Sequence, residues 1–299
     1  MYIVSFGGGL GSQMDQYAFY LSLKKHYPNV NVKMDIHNLF KIDHNGFELD
    51  RVFGIKRDEA PLNKIIELSD FYPHTGPHYR IYQHLFALRC KIFGPKESFI
   101  QPEDPSVFYP EVFQLSSLKS YIFMGNWGND KYKEGVEDEI RESFLFKELH
   151  GINSEISAEM QNVNSVAIHV RHGDFQSYNF PILSLEYYKQ AIALIMSKVE
   201  DPFFYFFSDD PQYVKDNFSF LNNSFKLVEN NKGDNSYIDM QLMSLCKHNI
   251  IANSTFSYWG AWLNNNTDKI VIVPRYHVSR CKKSLFYIPQ CILLDNHKY

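Results

Sequence analysis

The sequence of 299 residues has few cysteines and none of the spacings that cysteine chemistry needs. Cys90, Cys246, Cys281 and Cys291 form no Cys-x-x-Cys pair, which argues against a structural zinc site and against a disulfide scaffold. Cys246 falls in an apolar helical pattern and is predicted to be a small core residue. The composition is typical of a reducing compartment, so we expect a cytoplasmic protein.

Long apolar runs and an excess of basic charge are also missing. No run of about twenty apolar residues occurs, and residues 1–6 lack the basic start of a secretion signal. The net charge of −4 gives no indication of a nucleic-acid partner. Arg280, Lys282 and Lys283 form a small basic group, for which a solvated loop is favoured over peripheral contact with the inner membrane.

Several catalytic signatures are absent as well. The sequence contains no Gly-x-Ser-x-Gly elbow, no His-Glu-x-x-His pair and no Walker lysine loop. Hydrolases with a serine triad, zinc proteases and P-loop enzymes therefore find no support.

Strands and helices alternate along much of the chain, which predicts an α/β fold with parallel sheets and ligands at the carboxyl ends of the strands. Residues 58–120 are aromatic and irregular, and no element is assigned there. We expect two domains, 1–150 and 151–299, that face a cleft. The predicted strands are 2–6, 30–35, 120–127, 165–170, 202–210, 250–254 and 269–274. The predicted helices are 14–27, 184–199, with Ser184 as its cap, 210–218, 236–249 and 255–265.

A glycine-rich loop follows the first strand and opens the first helix. Gly7, Gly9 and Gly11 do not complete the Gly-x-Gly-x-x-Gly fingerprint, although Asp35 ends the next strand at the distance expected for a dinucleotide site. Glycines at a helix N-terminus let an anionic ligand approach the backbone. A tight structural turn explains the same residues equally well.

The run "HVRHGDF" places charged and titratable side chains at the end of a predicted buried strand. Strand alternation places His169 and Arg171 on one face and leaves His172 peripheral. The guanidinium of Arg171 is suited to bidentate contact with a phosphate. Asp174 is expected to orient Arg171 or to act on a substrate hydroxyl; the alternative is a buried Arg–Asp pair that organises the strand end.

Two further segments contain ligand-like groups. "FFSDD" places Asp209 and Asp210 after an apolar strand, where a helix cap is favoured over a Mg²⁺ site because Pro211 follows. "NSTFSYWG" puts three hydroxyls at a helix N-terminus, which favours an anion site, while Trp259 and Trp262 are predicted to pack in the core. Asp239 interrupts an apolar helix face. It is either an acid that interacts favourably with the helix dipole or an acceptor for the hydrogen-bond donors of guanine.

These motifs, in this order, resemble family 11 glycosyltransferases, the bacterial α-1,2-fucosyltransferases, over residues 2–275. The matching segments are "GGGLGSQMDQYAFY", "HNGFELDRVFGI", "HVRHGDF", "FYFFSDD" and "DMQLMSLCKHNIIANSTFSYWGAWLN". The resemblance implies a GT-B arrangement in which the C-terminal domain holds GDP-fucose and the N-terminal domain lies on the acceptor side. It further implies an inverting reaction without a metal or other cofactor.

The resemblance also implies roles for individual residues. Arg171 would bind the β-phosphate, and His169 and Asp239 would lie around the guanosine. From the sequence itself, Asp174 is the first candidate for a general base, ahead of Asp35 and Asp15. The segment implied to contact the diphosphate consists of Ser254, Thr255, Phe256 and Ser257. The residues expected against the donor from the N-terminal loop are Gly9, Gly11, Ser12 and Gln13.

The chain departs from the family pattern at Ser12, Asp15 and His172, which stand where asparagine, phenylalanine and arginine are usual. Because two of these changes touch the donor site, transfer of a GDP-sugar is a firmer expectation than transfer of fucose.

The sequence is compatible with three functions. The first transfers L-fucose from GDP-β-L-fucose to a glycan hydroxyl, the 2-OH of a galactose, in O-antigen, capsule or related polysaccharide synthesis, with an oligosaccharide or lipid-linked acceptor; a variant of it uses another GDP-sugar. The second is an NAD(P)-dependent oxidoreductase that uses the glycine loop and Asp35. The third is a protein of the same fold that binds a glycan or nucleotide without catalysis.

Overall fold

The computed structural model of the protein describes residues 1–39, 45–173, 181–276 and 288–296. The chain divides into two compact units, Met1–Leu145 and Phe146–Tyr299, here called the N-terminal and C-terminal units. Each unit is built around its own parallel β-sheet flanked by helices.

The N-terminal unit contains a four-stranded sheet with the order β2-β1-β4-β3. All of its strand pairs are parallel. The strands are β1 (Tyr2–Ser5), β2 (Val32–Asp35), β3 (Phe99–Ile100) and β4 (Tyr121–Phe123). The helices are α1 (Leu10–His26), α2 (Leu49–Phe53), α3 (Leu62–Leu68), α4 (Tyr79–Phe93) and α5 (Glu137–Ser143).

The turn from β1 into α1 depends on Gly8. Its φ of +75° lies in the left-handed region, and a Cβ there would approach the Cβ of Ser12 at 3.1 Å. Glycine is the residue that adopts this conformation without steric cost. Beyond the turn, Phe19 of α1 is buried and stacks on Trp127 with ring centroids 4.4 Å apart. This stack fixes α1 on the loop that follows β4.

The C-terminal unit contains a six-stranded parallel sheet with the order β10-β9-β8-β5-β6-β7. Numbered within the unit, this is the 3-2-1-4-5-6 order of a Rossmann fold. The strands are β5 (Asn164–Val170), β6 (Pro202–Ser208), β7 (Phe225–Val228), β8 (His248–Ile250), β9 (Val271–Pro274) and β10 (Ile292–Leu294). The helices are α6 (Ile152–Gln161), α7 (Leu185–Met196), α8 (Pro211–Asn217), α9 (Tyr237–Leu245) and α10 (Thr255–Trp262).

Strand β5 is buried on both faces, as expected for the centre of a parallel sheet covered on both sides. Val166, Ile168 and Val170 pack in the cluster that contains α7 and α8. Ala167 packs in the cluster that contains α6 and α9. Because side chains alternate along a strand, His169 and Arg171 leave the sheet on the α6 and α9 side.

The predicted α/β class is confirmed, and most predicted elements of the C-terminal half are present. Ser184 caps α7 by accepting from the backbone N–H of Tyr187, as predicted. Cys246, Trp259 and Trp262 are buried in the core, as predicted. Strand β8 begins at His248 and α9 ends at Leu245, so this helix is shorter and this strand earlier than predicted.

Helices α9 and α10 pack closely because Gly260 has no side chain. A Cβ at Gly260 would lie 2.9 Å from the Cβ of Met243, closer than two carbon atoms can approach without movement. Replacement by alanine therefore forces α9 and α10 apart, and overpacking of this kind costs about 1–3 kcal/mol.

We expect Gly260→Ala to lower the midpoint of thermal unfolding measured by circular dichroism. Gly7→Ala is the matched control, since a Cβ there meets nothing within 4 Å. Equal midpoints for both variants would show that the two helices can separate without cost.

Candidate functional site

Four loops of the C-terminal unit meet at one edge of its sheet, because the carboxyl ends of parallel strands lie on the same side. Arg171 follows β5, Asp209 follows β6, Asn231 follows β7 and Ser254 follows β8. The strand order reverses between β5 and β8, and ligands of open α/β sheets bind in the crevice at such a switch point. Arg171 and the start of α10 therefore occupy the position where this fold class places a nucleotide.

Arg171 forms an ion pair across two neighbouring strand ends. Its Nε lies 3.4 Å from Oδ2 of Asp209, and both side chains are partly exposed. Burial disfavours the charged form of Asp209, but the charge of Arg171 and the backbone N–H groups of His172 and Gly173 together lower its pKa below the usual value. The carboxylate thus holds a guanidinium in place at the sheet edge.

The second acid, Asp210, caps α8. Its Oδ1 accepts from the backbone N–H of Tyr213 at 3.0 Å, which confirms the predicted helix cap. Its Oδ2 lies 2.8 Å from Nδ1 of His172, whose ring stacks on Tyr213 at 4.1 Å. These two bonds, from Tyr213 first and His172 second, lower the pKa of Asp210. His172, predicted to be peripheral, ties the end of β5 to the start of α8.

His169 is a neutral, buried imidazole next to this charge pair. It is 4% exposed, and burial together with the neighbouring Arg171 lowers its pKa to about 3. Among the described residues, its Nδ1 has no hydrogen-bond partner. Its ring lies 5.7 Å from that of Phe256, which brings "HVRHGDF" and "NSTFSYWG" into contact.

The start of α10 offers partly exposed hydroxyls and amides. Ser254 caps the helix by accepting from the N–H of Phe256, and Thr255 is the first helical residue. Ser257 is different: it is buried, its Oγ accepts from the N–H of Ala252 at 3.2 Å and it donates to the carbonyl of Ser254. Ser257 therefore stabilises the turn, whereas Ser254 and Thr255 present groups to the crevice edge.

Asp239 lies on α9 beside a cluster of asparagines. Asn231 donates to its Oδ1 at 2.7 Å, and Asn153 and Asn230 are hydrogen-bonded to each other and to Asn231. Burial raises the pKa of Asp239 to about 7, and the bond from Asn231 only partly opposes this. The group can therefore gain or lose a proton near neutral pH.

In the N-terminal unit, the glycine loop is held by two glutamines. Gln13 is fully buried; its amide donates to the carbonyls of Gly8 and Gly46 and accepts from the N–H of Glu48. Gln16 accepts from the N–H of Gly7. Gln13 was expected to contact a donor, but its amide groups are already used inside the protein, so it supports the loop. Gly9, the N-cap of α1, and Ser12 remain partly exposed, while Gly11 is buried.

Two acids of the N-terminal unit were predicted as alternative bases and are both buried. Asp15 lies 3.8 Å from Nζ of Lys133, and both side chains are almost fully buried. Asp35 accepts from the hydroxyl of Ser5 at 2.8 Å and from the backbone N–H of His37 at 3.0 Å. Asp35 is thus already hydrogen-bonded at both oxygens and does not present a carboxylate to a ribose, as a dinucleotide site requires.

The residues that the sequence analysis missed are Asp209, as the partner of Arg171, and His37. Nδ1 of His37 lies 3.1 Å from Oδ1 of Asp35, and this bond raises the pKa of His37. The neighbouring order of β5 and β6 would have indicated Asp209, since residues after adjacent strands meet. Asp174, predicted to orient Arg171, lies outside the described residues, and so do Arg280, Lys282 and Lys283.

The raised pKa of Asp239 predicts a pH-dependent loss of stability. The folded protein holds this proton up to about pH 7, whereas an unfolded aspartate releases it near pH 4, so stability falls between these values as pH rises. Asp239→Asn removes the charge and keeps the acceptor for Asn231. We expect the variant to gain on the order of 2–3 kcal/mol over the wild type between about pH 5 and pH 8.

Thermal unfolding at several pH values measures this gain. Asp210→Asn is the control with the opposite sign, because the pKa of Asp210 is lowered and its charge stabilises the fold at neutral pH. A wild-type minus Asp239→Asn difference that does not change with pH would contradict a raised pKa.

Comparison with known proteins agrees with this geometry. The family model described as glycosyl transferase family 11 matches residues 104–292. An alpha-1,2-colitosyltransferase from Escherichia coli is 29% identical over 284 residues, covering 91% of this chain and 90% of that protein. The O-antigen biosynthesis glycosyltransferase WbnK from Escherichia coli is 31% identical over 287 residues, covering 90% of this chain and 92% of that protein.

Two solved structures share the fold. A point mutant of FUT1 from Arabidopsis thaliana in complex with GDP has a TM-score of 0.51 at 13% identity, covering 90% of this chain and 69% of that one. NodZ alpha-1,6-fucosyltransferase soaked with GDP-fucose has a TM-score of 0.50 at 16% identity, covering 87% and 91%. The GT-B class expected from the sequence is thereby confirmed.

These matches overturn the oxidoreductase alternative, for which the incomplete glycine fingerprint and the internally bonded Asp35 already gave no support. They also agree with the resemblance found in the motifs. The chain belongs to glycosyltransferase family 11.

Proposed function

We propose that the protein transfers L-fucose, or a close 6-deoxy relative, from its β-linked GDP donor to the 2-hydroxyl of a galactose in an O-antigen glycan. The glycan is an oligosaccharide or lipid-linked acceptor, and the product linkage is α-1,2. The observation that carries this proposal is the position of Arg171 and the start of α10 at the switch point of the C-terminal sheet.

The diphosphate is the group that this edge is suited to bind. Arg171 supplies a permanent positive charge, and α10 supplies the N–H groups of a helix N-terminus, which favour anions. The contact between the buried His169 and Phe256 sets the spacing of these two elements. Since Arg171 and the N-terminus of α10 offset the negative charge of the diphosphate, the proposed reaction requires no metal ion.

The reaction proceeds with inversion at C1 of the sugar. The acceptor oxygen attacks C1 from the face opposite GDP and gives its proton to a base. The bond from C1 to the β-phosphate oxygen breaks, and its electron pair leaves with GDP. Arg171 and the amides at Ser254 and Thr255 stabilise the charge that develops on this leaving oxygen, the kind of contact that is worth most in the transition state.

Asp239 is proposed to recognise guanine. A carboxylate can accept from both N1–H and the 2-amino group of guanine, whereas adenine presents no such pair of donors. Asn231 donates to the carboxyl group, and Asn153 and Asn230 in turn are hydrogen-bonded to Asn231. Because the pKa of Asp239 is raised to about 7, binding of guanine would favour the ionised form and release a proton near neutral pH.

A second candidate donor is GDP-colitose. Colitose is the 3-deoxy analogue of L-fucose, and the alpha-1,2-colitosyltransferase from Escherichia coli matches nine-tenths of this chain. Ser12 and His172 stand at donor-site positions where the family usually has larger or charged groups, and the hydroxyl of Ser12 has a shorter reach than an asparagine amide. Both donors use the same diphosphate and guanine contacts.

Two groups are candidates for the general base. Asp174 is the expectation from the sequence. His37 is the candidate from the structure, because its Nδ1 is bonded to the buried Asp35, whose other oxygen accepts from Ser5. A histidine held at one nitrogen by a carboxylate can accept a proton at the other, as in a catalytic triad.

A donor screen tests the proposed function. GDP-fucose, GDP-colitose and GDP-mannose are incubated with β-galactoside acceptors, and the linkage of any product is determined by NMR. We expect transfer from one of the first two donors. Donor binding without transfer to any acceptor would favour the non-catalytic alternative.

Arg171→Ala should lower kcat by roughly a hundred- to a thousandfold, because it removes a preorganised transition-state contact. Arg171→Lys keeps a charge opposite Asp209 and should lose less. Lys215→Ala, which removes an exposed ion pair with Glu229, is the control and should keep full activity. Unchanged kcat in folded Arg171→Ala would refute the role of this residue.

The choice of base is tested by pH profiles of kcat/KM. If His37 is the base, activity falls below an apparent pKa that lies above that of an ordinary histidine, since the bond to Asp35 raises the pKa. His37→Gln then lowers kcat/KM and removes this limb. A profile that persists in His37→Gln and disappears in Asp174→Asn assigns the base to Asp174.

A further inference from the structure

Helix α4 of the N-terminal unit has no buried residue, although it spans 15 residues and is rich in apolar side chains. Large apolar residues of α4 are between 44% and 75% exposed; they are Ile81, Tyr82, Leu85, Leu88, Ile92 and Phe93. Monomeric proteins rarely expose a contiguous apolar surface of this kind without using it.

One side of α4 is fixed to the rest of the unit. Arg89 forms an ion pair with Asp70 at 2.7 Å, and Tyr82 stacks on Tyr72 with ring centroids 4.7 Å apart. Phe86 packs edge-on against Tyr72 and under the ammonium of Lys96. The helix is therefore held in a defined orientation by this inner side.

The outer side carries an apolar stripe. Ile81, Leu85, Leu88 and Ile92 follow one another at intervals of four, three and four residues, so they lie along one face of the helix. We call these four residues the α4 stripe. All four point away from the side that bears Phe86, and all are exposed.

Charge next to the stripe has one sign. Residues 71–96 contain no aspartate and no glutamate, but they contain Arg80, Arg89, Lys91 and Lys96. On the helix, Arg80, His84 and Lys91 are exposed and lie on the same flank of the stripe. An exposed apolar face bordered by cations is the pattern of a helix that lies in a membrane interface.

We propose that α4 docks the protein on a bilayer surface that contains anionic lipids. The α4 stripe enters the boundary between headgroups and acyl chains, while Arg80 and Lys91 bind phosphate groups of the headgroups. A helix of 15 residues is about 22 Å long, so it lies in the interface and does not span it. Within the described ranges, no helix has the length and apolarity needed to cross a bilayer.

Charge favours the lipid surface over a second copy of the chain. Two α4 helices packed stripe to stripe would bring two acid-free basic segments together, and like charges would repel. An anionic surface instead complements Arg80 and Lys91 along the whole helix, and each such cation near the surface strengthens binding roughly fivefold.

Vesicle flotation with the full-length protein tests the proposal. Vesicles of phosphatidylcholine alone are compared with vesicles that also contain phosphatidylglycerol. We expect the wild type to bind the anionic vesicles at least tenfold more strongly, and to bind them less strongly as salt is added. Equal binding to both vesicle types, or no binding, would overturn the proposal.

Two double variants separate the apolar and charged contributions. Leu85→Ser with Leu88→Ser removes half of the stripe, and Arg80→Glu with Lys91→Glu reverses the flanking charge; each should reduce binding to anionic vesicles more than tenfold. Leu118→Ser with Lys119→Glu is the matched control, since Leu118 is 96% exposed elsewhere in the same unit. If the α4 variants bind as the control does, α4 is not the docking element.

The oligomeric state provides an independent readout. All substituted side chains are exposed, so unchanged midpoints of thermal unfolding are expected for every variant. We expect sedimentation equilibrium to give the same molecular mass for the wild type and for the α4 variants. A dimer that Leu85→Ser with Leu88→Ser dissociates, without vesicle binding by the wild type, would assign the stripe to a second copy of the chain.

Discussion

The ion pair between Arg171 and Asp209 is the contact on which the site of the C-terminal unit depends. A guanidinium at the edge of a buried sheet needs an anion nearby, and Asp209 supplies it from the neighbouring strand. Burial, together with the same positive charge, lowers the pKa of His169 and keeps it neutral, so this imidazole adds no second cation beside the pair. The crevice edge thus has a fixed charge pattern before any ligand binds.

In the N-terminal unit, hydrogen bonds hold the glycine-rich loop in one conformation. Gln13 and Gln16 do so from inside α1, by bonding to backbone groups of the loop and of segments distant in sequence. Their amide groups replace the hydrogen bonds that a regular element would have supplied. Gly8 is exposed, and Gly7 and Gly9 are partly exposed, although backbone groups of the loop are held from inside the protein.

The sequence was a good guide to the C-terminal half and a poor one to contacts between distant segments. Alternation along β5 groups His169 with Arg171, and the charge of Arg171 does act on His169, but alternation predicts nothing about the contact between His172 and Asp210 beyond the end of the strand. The partner of Arg171 could not be found locally, since Asp209 becomes a neighbour only through the order of β5 and β6. Gln13 looked like a ligand group because its buried partners, Gly46 and Glu48, are more than thirty residues away.

The close contact at Gly260 has a consequence for the two helices that are proposed to recognise the nucleotide. Asp239 and the first residues of α10 belong to two helices that pack closely at Gly260, where a side chain would meet Met243. In the proposed complex, one helix reads the base and the other meets the terminal phosphate. The contact at Gly260 then keeps these two recognition elements at a fixed separation.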